Sequence, residues 1–177
     1  QRRTDPLIIP LSFPDAPEVD DPESALNATL ADLRDWYLAP TSPAQLADAG
    51  VSFAITSDGL SSLNEFLPNL RIAVARGLST RDALAALTTT PAALLGLENT
   101  HGTIAEGRVA NLVVSQGDLF TEEAAVRDVW VHGQAYEVTR PPEVDPRGTW
   151  AIASDDEWGF EATLRLEGPL NRLGGSI

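Results

Sequence analysis

The spacing of hydrophobic and polar positions changes character near residue 98. Before it, short apolar runs alternate with stretches of helical period; after it, short strand patterns dominate. Residues 7–13 predict a buried strand, although Pro10 withholds a ladder donor and so implies an edge or a bulge. Asp21-Pro22-Glu23 reads as a helix start, with a capping aspartate, proline at the first position and an acid in the first turn. Leu26, Leu30 and Leu33 then predict one apolar helical stripe as far as Trp36. Past the breaks at Pro40 and Pro43, a short helix is expected to stop at Gly50. Residues 51–56 are apolar nearly throughout, as in a strand covered on both faces. This run empties into Ser57-Asp58-Gly59, and a loop follows to Asn64. A helix over 66–76 turns Leu70, Ala73 and Val74 inward and ends at Gly77, with Leu78 placed for a Schellman contact. Ser79 and Asp82 open a further helix, and Thr90-Pro91 opens another that Gly96 closes.

Beyond Glu98, residues 102–104 and 111–115 predict strands flanking a turn at Glu106-Gly107. Residues 126–131 and 135–138 flank His132-Gly133, a hairpin signal. Residues 139–147, with Pro141-Pro142 and alternating charge, read as a linker. Residues 148–152 and 162–166 read as the opening strands of a further β unit, with a turn at 155–159.

Composition narrows the chemistry. At 177 residues, 43% hydrophobic and 21% charged, the chain can bury a core of its own. The net charge of −14, with every cation an arginine, predicts repulsion from phosphate backbones and anionic lipid, so no nucleic-acid partner is expected. The lack of cysteine excludes thiol nucleophiles, disulfides and zinc–thiolate sites. No apolar run approaches the ~20 residues a spanning helix needs. The opening Gln1-Arg2-Arg3 carries no apolar signal region.

Asp58 is the candidate site residue, because it places a carboxylate where a buried strand gives way to a loop. The same residue also fits a plain Asp-Gly turn. Four stretches set it in context: Thr56-Ser57-Asp58-Gly59-Leu60; Ala83-Leu84 through Thr90-Pro91-Ala92; Leu95-Gly96-Leu97 with Gly102-Thr103-Ile104 and Glu106-Gly107; and Ala110-Asn111-Leu112-Val113-Val114 followed by Val129-Trp130-Val131-His132-Gly133. In order and spacing they resemble the C-terminal part of the amidohydrolase superfamily, in particular its imidazolonepropionase-like members.

The resemblance implies an α/β fold: the C-terminal strand–helix units of a (β/α)8 TIM-like barrel, joined to the C-terminal part of a small β-sandwich domain. On that reading residues 1–100 belong to the barrel, 101–138 to the small β domain, 139–148 to a linker, and 149–177 to a further, truncated β segment. The resemblance also implies a metal-dependent hydrolase acting on carbon–nitrogen bonds other than peptide bonds, with a small-molecule substrate and a divalent metal, zinc by expectation. Asp58 matches the aspartate that both binds the metal and shuttles a proton. The metal would lower the pKa of its bound water from ~15.7 toward ~7. The superfamily's remaining ligands, a His-x-His pair, a lysine or acid and two later histidines, have no counterpart here. His101 and His132 match no ligand position and read as exposed loop residues. The chain is thus expected to be a fragment, inactive alone, whose missing partner is the N-terminal barrel of the same polypeptide. Relatives of this wording further imply an exported bacterial protein. The alternative is a metal-free, non-catalytic barrel serving as a scaffold or binding protein, in which Asp58 is only a turn residue. Asn111 stands where many relatives carry aspartate. The four tryptophans, Trp36, Trp130, Trp150 and Trp158, read as packing residues.

Overall fold

The structure, a computed structural model, describes residues 7–140, 144–153, 161–168 and 173–176. It divides into two compact units, Gln1–Ala110 and Asn111–Ile177. The turn expected at 155–159, with Trp158, and the Pro141-Pro142 pair lie outside the described residues.

In the first unit, β1 (Leu7–Pro10) pairs in parallel with β2 (Phe53–Thr56). Leu7 is opposite Phe53 and Pro10 is opposite Thr56. The Leu7 amide donates to the Ser52 carbonyl (3.0 Å) and the Leu11 amide to that of Thr56 (3.4 Å). By the alternation of a strand, Leu7, Ile9 and Leu11 therefore face β2, and Ile8 and Pro10 face away. Pro10 withholds no bond from the ladder, and the register through it is unbroken, which answers the expectation of an edge rather than a bulge.

Between the strands lie α1 (Pro22–Asn27), α2 (Leu30–Leu38) and α3 (Ser42–Asp48). The single helix expected as far as Trp36 is thus two helices. Asp21 caps the first, accepting from the Glu23 and Ser24 amides at 2.9 Å. Thr29, in extended backbone, restarts the chain with a reciprocal capping box to Asp32. The leucine stripe fails with it: Leu26 is 87% exposed and Leu30 82%. A strong local cap has overridden a weak period.

After β2 come α4 (Phe66–Ala75), α5 (Thr80–Leu87) and α6 (Thr89–Leu94). The Schellman ending of α4 is present in full: Leu78 N–H bonds the Ala73 carbonyl and Gly77 N–H that of Val74, both at 3.0 Å, with Gly77 at φ +114°. Both α5 and α6 pack on β2. The core is small-residue rich. Leu11, Phe53, Ala54, Leu70, Ala73, Leu78, Ala83, Ala86 and Ala92 are buried, and full burial of each leucine contributes about 1.5–3 kcal/mol. The Arg76 guanidinium lies over the Tyr37 ring, 4.7 Å from its centre, and ties α2 to the end of α4.

Residues 102–104 do not form the strand their pattern predicts; Gly102 takes φ +86° and Ile104 stands exposed. The Arg108 guanidinium gathers this loop by donating to the carbonyls of Glu98 and His101, and Val109 N–H bonds the Thr100 carbonyl at 3.0 Å.

The second unit holds two antiparallel sheets. One comprises β3 (Leu112–Gln116), β4 (Ala125–Val131) and β5 (Gln134–Glu137), in that order. The other comprises β6 (Gly148–Ala153), β7 (Glu161–Glu167) and β8 (Gly174–Ser176). The two-residue turn between β4 and β5 has φ +51° at His132 and +83° at Gly133, the left-handed pair a type I′ hairpin demands. Asn111 secures it, its Oδ1 accepting from His132 N–H at 2.8 Å. An aspartate could accept the same bond, so the Asn111 substitution leaves the hairpin's support in place. Asn111→Ala is expected to lower the stability of this unit by about 1 kcal/mol, read as a shift in its urea midpoint. An unchanged midpoint would show that the bond adds nothing.

Just before β6, Arg147 forks onto Asp145, with Nη2 to Oδ2 at 2.6 Å, and its own amide also donates to Asp145 Oδ1. Side-chain hydrogen bonding from Arg147, then that backbone bond, lowers the Asp145 pKa from its ordinary 3.8 to about 2. The folded form is therefore favoured by this group above pH 3.8, and that support is lost as pH falls from 3.8 through about 2. A carboxyl titration followed by NMR should place the Asp145 midpoint near 2, and a midpoint near 3.8 would show that the fork does not persist in solution.

The three sheets correct the expected architecture. They are separate, of two, three and three strands, and none closes or curls into a barrel. A (β/α)8 barrel needs eight parallel strands. Among the described residues only β1 and β2 are parallel, while the other six belong to antiparallel sheets. The fold is mixed α/β in two units.

Candidate functional site

Asp58 lies two residues past β2, at the carboxyl end of the parallel pair. Phe53 and Ala54 anchor that strand in the core, whereas Ser57, Asp58 and Gly59 are exposed. Gly59 completes the turn at φ +76°, where a side chain would be strained. Asp58 N–H donates to Thr56 Oγ1 at 3.2 Å, a local turn closed by a threonine hydroxyl. Thr56 thus shapes the loop by satisfying backbone. Among the described residues no hydrogen bond or ion pair to the Asp58 carboxylate is found, so its oxygens face solvent.

The loop leaving β1 runs alongside. A Cβ built on Gly59 would lie 3.4 Å from Ser12 Cβ and 3.7 Å from its hydroxyl. The strand ends therefore bring Ser12, Ser57 and Asp58 to one edge. Sequence reading missed Ser12 because nothing local marks a residue that becomes a neighbour only through parallel pairing.

The histidines lie elsewhere. His101 Nδ1 is 2.8 Å from Thr100 Oγ1 in the loop that Arg108 gathers, half-buried rather than exposed. His132 sits exposed at the β4–β5 turn. Among the described residues, no three of His, Asp and Glu come together as a metal-holding group. A catalytic zinc usually takes three protein ligands. Asp58 supplies one carboxylate, so the residues present do not by themselves fit the metal that the resemblance implies.

A sequence model described as the amidohydrolase family matches residues 41–138, just over half of the chain and inclusive of Asp58. The chain belongs to the amidohydrolase family. Amidohydrolases as a superfamily hydrolyse carbon–nitrogen bonds and often use divalent metals. Imidazolonepropionase from a Polaromonas species is 36% identical over 108 residues, which are 58% of this chain and 24% of that protein. Among solved structures, an amidohydrolase from Thermotoga maritima superposes with a TM-score of 0.53 at 30% identity, over 62% of this chain and 29% of that one. A prolidase complexed with N-methylphosphonate-L-proline gives 0.50 at 26% identity, over 67% and 30%. The chain therefore spans about a quarter of the length of the curated amidohydrolase it matches. Among the described residues no helix is long and apolar enough to cross a membrane.

Proposed function

We propose that the polypeptide carrying this chain hydrolyses a carbon–nitrogen bond, other than an ordinary peptide bond, in a small-molecule substrate, and that Asp58 contributes its carboxylate to the reaction. The observation that carries the reading is the position of Asp58: exposed at the carboxyl end of a buried parallel strand, within the stretch that matches the family. The similarity to an imidazolonepropionase over 108 residues supports a place among the hydrolases of carbon–nitrogen bonds.

A solvent-facing carboxylate can take the proton of a water as its oxygen attacks the carbonyl carbon. It can then return that proton to the nitrogen as the carbon–nitrogen bond breaks. The turn around Asp58 suits this role, because its backbone is tied down while its oxygens stay available. We also propose Asp58 as one ligand of a divalent metal, zinc by preference. The other ligands would have to come from outside the described residues, so no step is assigned to the ion. The boundaries near residues 100, 138 and 148 remain part of the proposal as divisions between the hydrolase part, a small β segment and a further β segment.

The test is hydrolysis of a panel of amide, lactam and cyclic-amidine substrates by the protein as its gene encodes it, with its zinc content measured alongside. Turnover that depends on Asp58 supports the reading. Bound metal without turnover of any substrate, unaffected by Asp58→Asn, would point to a non-catalytic binding protein.

A further inference from the structure

The β1–β2 ladder ends one rung early, and side chains take over both halves of the missing bond. The register makes the next rung plain. Leu11 faces β2 and its amide already bonds the Thr56 carbonyl, so the Leu11 carbonyl is due to accept from the Asp58 amide. That bond is not made. The Leu11 carbonyl accepts instead from Asn69 Nδ2 in the first turns of α4, at 2.7 Å and partly buried. The Asp58 amide donates to Thr56 Oγ1 at 3.2 Å. Leu11 itself is fully buried, so an unpaired carbonyl there would be costly, and Asn69 removes that cost. The Leu11–Thr56 bond, at 3.4 Å, is already long where the strands part.

We propose that Thr56 and Asn69 are positioning residues that divert this rung and thereby set where Asp58 stands. With the rung made, residues 57 and 58 would continue as strand, and Asp58 would lie against the β1 exit. With the rung diverted, the chain turns at Ser57, which carries the Asp58 carboxylate clear of the ladder and leaves Gly59, rather than Asp58, beside Ser12. Asn69 also couples α4 to the end of β1 across 58 residues of sequence, so the placement of the turn depends on helix, strand and loop together. The assignment rests on the reading of Asp58 as a functional carboxylate, although the ladder switch can be measured without it.

Two substitutions test it in the folded protein. Thr56→Val keeps the shape and removes the hydroxyl, and it is expected to speed hydrogen exchange of the Asp58 amide by ~10-fold. Thr56→Ser, which keeps the hydroxyl, should restore protection. Asn69→Leu frees the Leu11 carbonyl, so the Asp58 amide should close onto it, with slower exchange and a displaced amide resonance. Unchanged Asp58 exchange in Thr56→Val, or an unmoved Asp58 resonance in Asn69→Leu, would overturn the switch. In the hydrolysis assay, both substitutions should lower kcat by ~10-fold with little change in KM, and Thr56→Ser should recover it. If Asp58→Asn abolishes turnover while Thr56→Val and Asn69→Leu leave kcat intact, the positioning role is wrong. If Asp58→Asn leaves turnover intact, the reading of Asp58 is wrong, and the exchange data still decide the switch.

Discussion

Gly102→Ala is expected to lower the stability of the first unit by about 2–4 kcal/mol, the sum of an overpacking cost and a left-handed backbone cost. The added Cβ would fall 2.8 Å from Ala92 Cβ, 2.9 Å from the Thr88 carbonyl oxygen and 3.2 Å from Thr89 Cα. Two of those atoms are backbone at the start of α6 and cannot swing aside. The residue also holds φ +86°, where alanine is strained. The loop has little freedom to retreat, since Arg108 donates to the carbonyls of Glu98 and His101 just before Gly102. For a domain of this size the melting temperature should drop by roughly 10–20 °C. Gly96→Ala is the control. It shares a positive φ of +68° but would meet nothing within 4 Å, so it should lose only about 1 kcal/mol. Equal melting temperatures for the two variants would show that the contact on α6 is not tight. Because α6 packs on β2, loosening it would also disturb the strand that carries Asp58.

The second large effect concerns chemistry rather than stability. Asp58→Asn should reduce kcat/KM for hydrolysis by ~10²–10⁴-fold, the usual worth of a positioned acid–base group. The fold should not change, because the hydrogen bond at this residue uses the amide of Asp58 and not its carboxylate. Its side chain is exposed, so no core contact is lost. A melting curve that matches the parent, with turnover nearly abolished, is the expected pair of results. Turnover that survives the substitution would assign Asp58 to the turn alone.

What could be read from the chain followed how local each cause is. The Gly77-Leu78 ending of α4 and the His132-Gly133 hairpin are fixed by residues a few positions apart, and both are as the pattern predicts. The division between α1 and α2 was written in Thr29 and Asp32, but the leucine spacing across it suggested continuity; burial of none of those helices' residues shows how little that period counted. Residues 102–104 failed as a strand because Gly102 is pressed against α6, a contact that no local pattern encodes. The position of Asp58 at a strand end was legible. The exchange of partners around it was not, since Asn69 and Leu11 meet only in the folded chain. The resemblance holds at the level of the amidohydrolase family, whereas the barrel inferred from it does not.

Pro10 has a consequence for self-association. Among the described residues β1 pairs on one side only, so its other edge offers the backbone of Ile8, a residue 65% exposed, as a donor and acceptor suited to another strand. At the next outward position the proline nitrogen has no hydrogen to give. A strand arriving from solution could therefore bond fully at Ile8 but would find no donor at Pro10, which hinders edge-to-edge growth on a sheet that holds two strands among the described residues.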